Sequence, residues 1–197
     1  MGSSSFVALL LGFPGTGKFT IAKELRARYE RTGRDVRVID NHYTANVVFG
    51  VLPLVDGYRS IPPETWGHVD KVRAAAWDAI IELSSPATSF VFTSDISQSE
   101  GAVHMEQYRR IADARDSTFV PVRLLCEADE LARRIVSPER RERSKWLDAD
   151  GVRRKHAEHT VLDTGDPRGL ALNVTAIEPA HAAELVGVHI DRALELA

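Results

Sequence analysis

Gly12-Phe13-Pro14-Gly15-Thr16-Gly17-Lys18-Phe19-Thr20 is the stretch on which the fold turns. The apolar run Phe6-Val7-Ala8-Leu9-Leu10-Leu11 precedes it and reads as a short strand buried on both faces. From Lys18 to Thr32, Ile21, Ala22, Leu25 and Tyr29 recur at helical spacing, and Gly33 supplies a stop. A glycine-rich turn between a strand and a helix, with lysine at its end, is the pattern of a phosphate-cradling loop. Glycines let successive backbone N–H groups point into one anion-binding nest, and the helix N-terminus adds partial positive charge. Lys18 adds a full charge. Gly12, Pro14, Gly15, Thr16, Gly17, Lys18, Phe19 and Thr20 are therefore the expected nucleotide-binding residues. The pattern departs in one place. Phe19 stands where a serine or threonine would hold Mg²⁺, and Thr20 lies about 100° further round the helix.

Outward from the loop, strands and helices alternate. Val36–Ile39 is a second apolar run, ending at Asp40. Residues 50–63 are irregular, with two glycines and three prolines. A long helix is expected from Glu64 to Ser84, with Trp66, Val69, Val72, Ala76, Trp77, Ile80 and Ile81 on its apolar positions. Strands follow at 89–93, 119–126 and 170–174. Pro121 inside the fourth is a discord, since proline removes a ladder hydrogen bond. Ser97-Gln98-Ser99-Glu100 has the form of a capping box and opens a helix to Arg115. Helices are also expected at 127–136, before Thr160, and from Pro179 to Leu196. This alternation predicts a parallel sheet covered on both faces, with ligands outside the carboxyl ends of the strands.

Composition narrows the class. The 197 residues are one domain's length, with 44% hydrophobic and 27% charged residues. A net charge of −3 argues against a protein that binds nucleic acid through its bulk field. One cysteine excludes an intrachain disulfide framework and fits a reducing compartment. No apolar run approaches the ~20 residues that span a bilayer. The expectation is a cytoplasmic protein with no membrane and no nucleic-acid partner, as a monomer or homodimer.

The loop and the order of elements resemble the P-loop small-molecule and nucleotide kinases: adenylate kinase, shikimate kinase, gluconate kinase and chloramphenicol phosphotransferase. The likeness in order covers nearly the whole chain, and its specific motif is Gly12–Thr20. Such chains are also called AAA-type ATPases, but no arginine-finger or sensor architecture is visible. The resemblance implies an α/β three-layer sandwich with a five-stranded parallel sheet, nucleoside-monophosphate-kinase-like, carrying a small arginine-rich lid. It implies one domain over 1–197, an acceptor cover at 50–66 and a lid at 137–150. ATP and Mg²⁺ are the implied cofactors, and a small hydroxylated molecule the acceptor.

Several residues then gain candidate roles. Asp40 ends the second strand, and the resemblance makes it the acceptor of the hydroxyl proton; otherwise it is a turn or cap aspartate. His42 would orient substrate or act as an alternative base. Asp95, after the third strand, resembles the second metal-binding element of such enzymes, or caps the next turn. Arg59 falls in the acceptor cover. From Arg133 to Lys155 the chain carries nine basic and four acidic residues, a basic patch on an acidic protein. There the resemblance makes Arg134, Arg140 and Arg143 phosphate-clamping lid residues, beside the catalytic Lys18 and Asp40, while Arg153–Lys155 read as a solvated face. Cys126 reads as inert core. The primary expectation is an ATP-dependent phosphotransferase. A nucleotide kinase is the near alternative, and a non-catalytic nucleotide-binding module, motivated by Phe19, is the distant one. An RNA-binding use of the basic patch is disfavoured by net charge, with Trp146 its lone aromatic.

Overall fold

The structure is a computed structural model, and it describes residues 5–52, 61–99, 101–138, 140 and 145–196. The elements are β1 (Phe6–Leu11), α1 (Lys18–Glu30), β2 (Val36–Asp40), α2 (Asn41–Phe49), α3 (Thr65–Leu83) and β3 (Ser89–Ser94). Then come α4 (Gly101–Ala114), β4 (Thr118–Leu125), α5 (Ala128–Ile135), α6 (Ala149–Glu158), β5 (Leu170–Asn173) and α7 (Pro179–Glu195). The five strands form one all-parallel sheet in the order β2-β3-β1-β4-β5.

β1 is central and every residue of it is buried, which is why its sequence is continuously apolar rather than alternating. One face is covered by α1 and α7, which pack on each other; Tyr29 of α1 donates its hydroxyl to Asp191 at 2.9 Å. The other carries α3 and α4, where Trp77 and Tyr108 meet the ring of Phe92. Register brings functional positions together. Leu11 is level with Ser94, and Asp40 with Thr93, so the loop after β1, the end of β2 and the end of β3 open at one edge of the sheet.

The structure departs from the sequence reading in three places. α2 was not anticipated, because it lacks an amphipathic stripe; Asp40 starts it by accepting the His42 amide at 3.0 Å. α4 begins at Gly101 rather than at the Ser97 box. Ser97 is instead in an antiparallel bridge with Val161, flanked by Gln98 N–H to Thr160 O (2.8 Å) and Leu162 N–H to Ile96 O (3.0 Å). Pro121 lies within β4, not at its start. The discord resolves because the ladder to β5 begins only at Val122, so no β5 partner waits for the missing N–H. Among the described residues, no helix is long and apolar enough to cross a membrane.

Candidate active site

The loop after β1 is shaped by its glycines. Gly15 and Gly17 both have φ of +91°, a left-handed conformation that a Cβ would strain. Thr16 turns inward, its hydroxyl donating to Phe13 O at 2.6 Å, so it builds the loop rather than facing the cavity. Gly12 likewise shapes the loop: a Cβ there would lie 2.9 Å from Leu124 O. No side chain caps the N-terminus of α1 and no acidic residue sits in its first turn, which leaves these amides to an anion. Lys18 folds back to donate to the carbonyls of Gly12 and Phe13. Burial pulls its pKa down to about 8, although Asp95 draws it back up.

A cavity of about 740 Å³ lies over this loop and extends along α2 and α3. Pro14, Gly15, Gly17, Lys18, Phe19 and Thr20 line its loop end. Asp40, His42, Asp95 and Arg140 line it too, so the sequence candidates converge on one chamber. Asp40 is buried and doubly held, by the His42 amide and by Lys145, whose Nζ is 2.8 Å from Oδ2. Burial pushes its pKa upward, but the Lys145 ammonium and the His42 hydrogen bond outweigh that and hold it below the ordinary carboxylate value. Asp40 is thus both the helix cap and an ionised group in the cavity. His42 is pushed down to about 4, by burial first and then by Lys145, against the pull of Asp40. It is neutral at physiological pH and too weak a base to replace Asp40.

Asp95 pairs with Lys155 of α6, Nζ to Oδ2 at 2.8 Å. Its other oxygen, Oδ1, is buried with no hydrogen-bond partner among the described residues. Mg²⁺ is commonly held by one or two carboxylates together with waters and substrate phosphates, and a partnerless carboxylate oxygen beside the phosphate loop fits that demand. Phe19, in contrast, is an aromatic plate. Lys145 Nζ stands 5.1 Å from its ring centroid, Lys23 Nζ 5.5 Å, and Tyr43 meets it edge-on at 6.4 Å.

The arginine expectations divide. Arg140 lines the cavity and donates to Trp146 O at 3.0 Å. Arg134 does not line it, so the structure does not bring it to the chamber. Its guanidinium is engaged by Glu130 (2.6 Å) and by the carbonyls of Val174 (3.1 Å) and Thr175 (2.9 Å), bracing the loop after β5 against α5. Arg59 and Arg143 lie outside the described residues, as do parts of the expected cover and lid.

Known structures share this architecture. A gluconokinase from Sinorhizobium meliloti matches with a TM-score of 0.57 at 14% identity, over 100% of this chain and 97% of that one. The APS kinase CysC of Mycobacterium tuberculosis, solved with AMPPNP and APS, gives 0.61 at 13% identity over 95% and 98%. Kti12 of Chaetomium thermophilum, solved with ADP-AlF3, gives 0.62 at 14% over 95% and 98%. The chain has the P-loop kinase fold. No protein-family model matches it, and no curated protein does.

Within this P-loop kinase fold, three cavity residues were not singled out from the sequence: Lys145, Lys155 and Arg73. Lys145 and Lys155 were counted only as charge. Lys155, read as part of a solvated face, sits four residues after Gly151 and three after Val152, both buried, so helical spacing places it on the inner side of α6. Arg73 sits midway between buried Val69 and Trp77 at steps of four on α3. Lys145 lies outside the helices and strands and leaves no periodic signal.

Proposed function

We propose that the protein transfers the terminal phosphoryl group of ATP to a hydroxyl of a small acceptor. The observation that carries this reading is one chamber containing both the phosphate loop with Lys18 and the ionised Asp40. The loop amides and Lys18 would bind the donor phosphates. Asp40 would orient the acceptor hydroxyl and take its proton as the new P–O bond forms and the bond to the leaving ADP oxygen breaks. Such transition states are loose, so orientation matters more than basicity, and a low-pKa carboxylate suffices. Arg140 and Lys145, on the stretch read as lid (137–150), would offset charge on the transferring group. Asp95 would hold Mg²⁺, which when bound screens the donor phosphates. The gluconokinase and APS kinase among the similar structures support phosphotransfer to a small molecule. We read 50–66 as the acceptor cover within one domain, and the cytoplasm, where ATP is abundant, as the place of action.

A non-catalytic nucleotide-binding module is the second reading. It is favoured by Phe19 at the metal-ligand position and by the Lys155 ammonium already on Asp95.

Thermal unfolding with saturating ATP, with and without Mg²⁺, beside Lys18→Ala, separates the two. Ligand at a hundred times its dissociation constant adds about 2.7 kcal/mol, or roughly 5–11 °C for a domain of this size. A Lys18-dependent shift that grows with Mg²⁺, followed by ADP release with hydroxylated acceptors, supports the kinase. A Mg²⁺-indifferent shift without transfer supports the module. No shift in a folded protein overturns both.

A further inference from the structure

The geometry points to an oxyanion-binding acceptor subsite at Arg73, so that the acceptor is a small hydroxylated molecule carrying a carboxylate, phosphate or sulfate group. This rests on the phosphotransfer reading and names its substrate class.

Arg73 is on the buried row of α3, between Val69 and Trp77, yet it carries a permanent charge. Its side chain is only 14% exposed and lines the chamber. Among the described residues its one ion pair is with Asp70, Nη1 to Oδ1 at 3.0 Å, and Asp70 itself is 56% exposed. The Nε atom is buried and has no hydrogen-bond partner among the described residues. A buried donor left unpaired is costly, more so when it is charged, and a ligand oxygen in the chamber would satisfy it. Asp70 takes one end of the guanidinium and fixes its plane. The Nε edge remains, and the two parallel N–H bonds of such an edge match the two oxygens of an oxyanion. The other cations lining the cavity are differently committed: Lys145 to Asp40, Lys155 to Asp95, Arg140 to the Trp146 carbonyl, and Lys18 to the donor loop. Trp66 and Phe49, meeting edge-on at 5.7 Å, give this end of the chamber an apolar wall for the acceptor's carbon skeleton.

The direct test titrates inorganic sulfate into protein saturated with AMPPNP, which occupies the phosphate loop. One further sulfate should bind the parent. Arg73→Gln should weaken it at least tenfold, and Arg73→Lys, which keeps charge but not the fork, should fall between. In transfer assays, glycerol 3-phosphate and gluconate should outrun glycerol and glucose, and Arg73→Gln should raise acceptor KM at least tenfold with ATP KM within twofold. Absence of sulfate binding to the AMPPNP-saturated parent, or equal binding by Arg73→Gln, overturns the subsite. If AMPPNP itself fails to bind, the phosphotransfer reading falls separately. Sulfate bound by nucleotide-free parent and not by folded Arg73→Gln then still decides whether Arg73 holds an oxyanion.

Discussion

Lys145 Nζ lies 2.8 Å from Asp40 Oδ2, and both side chains are nearly excluded from solvent, at 12% and 4% exposure. The pair joins the stretch after α5 to the end of β2. A buried pair is costly to break from one side, because the remaining charge loses its partner. Lys145→Met should therefore destabilise the chain and raise the Asp40 pKa. Under the proposed mechanism the acid limb of the kcat/KM profile moves to higher pH. An unmoved acid limb in the folded variant would separate Asp40 from that limb. Asp40→Asn, in the same assays, should lower kcat by about 10²–10⁴, the usual scale for general-base loss, with ATP affinity within twofold.

Lys18 supplies a second prediction. Its pKa, lowered to about 8 in the folded chain, should rise when phosphates enter the loop, because anions favour the ammonium. Nucleotide binding near pH 8 should then take up about half a proton, the fraction of Lys18 that is neutral there. Calorimetric titrations with ATP in buffers of different ionisation enthalpy measure this uptake. Affinity should decline as pH rises above 8. Binding enthalpies independent of buffer would remove the proposed coupling.

His42 sets a pH-dependent stability. Its folded value of about 4 lies below the ordinary 6.5, so between these the unfolded chain binds a proton that the folded chain refuses. Stability is then complete above pH 6.5, falls as pH drops through the window, and levels off below 4. The contribution is about 3 kcal/mol, or roughly 6–12 °C in Tm. Comparing the pH dependence of Tm for the parent and His42→Gln isolates it from the carboxylates. Parallel curves would show that His42 is not the source.

The fold was legible because its signal is local. The run Phe6–Leu11, the glycines before Lys18 and the stop at Gly33 each match one physical demand of β1, the loop or α1. The donor side of the site followed from the same loop. The rest depends on approach across the chain, which spacing does not encode: Lys145 reaches Asp40 over 105 positions and Lys155 reaches Asp95 over 60. Arg134 is a case of the same kind. Its charge fitted a lid, but its position at the end of α5 delivers it to carbonyls of the loop after β5. α2 escaped notice because its start is set by an Asp40 cap rather than an apolar stripe.

Arg115 is a structural counterpart to these site cations. It is buried, donates to the carbonyls of Ile80, Ser85 and Thr88 and to the Ser84 hydroxyl, and stacks over Phe90 at 4.9 Å. It thereby closes the turn between α3 and β3. Arg115→Met should cost about 2–4 kcal/mol, the scale for breaking a buried hydrogen-bond network. Urea unfolding should show a lower midpoint with nucleotide affinity per folded molecule unchanged. An unaltered midpoint would mean that the turn closes without it.

Phe19 is the place where this chain differs from the usual phosphate loop, and the structure gives the substitution a physical content. The ring supports Lys145 at 5.1 Å and Lys23 at 5.5 Å, each contact worth about 0.5–1 kcal/mol where exposed and more when desolvated. The chain has thus exchanged a metal-binding hydroxyl for a plate that collects ammonium groups beside the donor site. Phe19→Thr reverses both effects. It restores the hydroxyl next to Lys18 and removes the support beneath Lys145. Phe19→Thr should enlarge the ratio of ATP affinities in Mg²⁺ and in EDTA at least fivefold over that of the parent. The same variant should loosen the Lys145–Asp40 pair, seen as a modest rise of the acid limb rather than the large one expected for Lys145→Met. Titrations of ATP binding with and without Mg²⁺, on both proteins, decide it. An unchanged ratio would mean that Asp95 alone governs metal use and that the residue after Lys18 has no part in it.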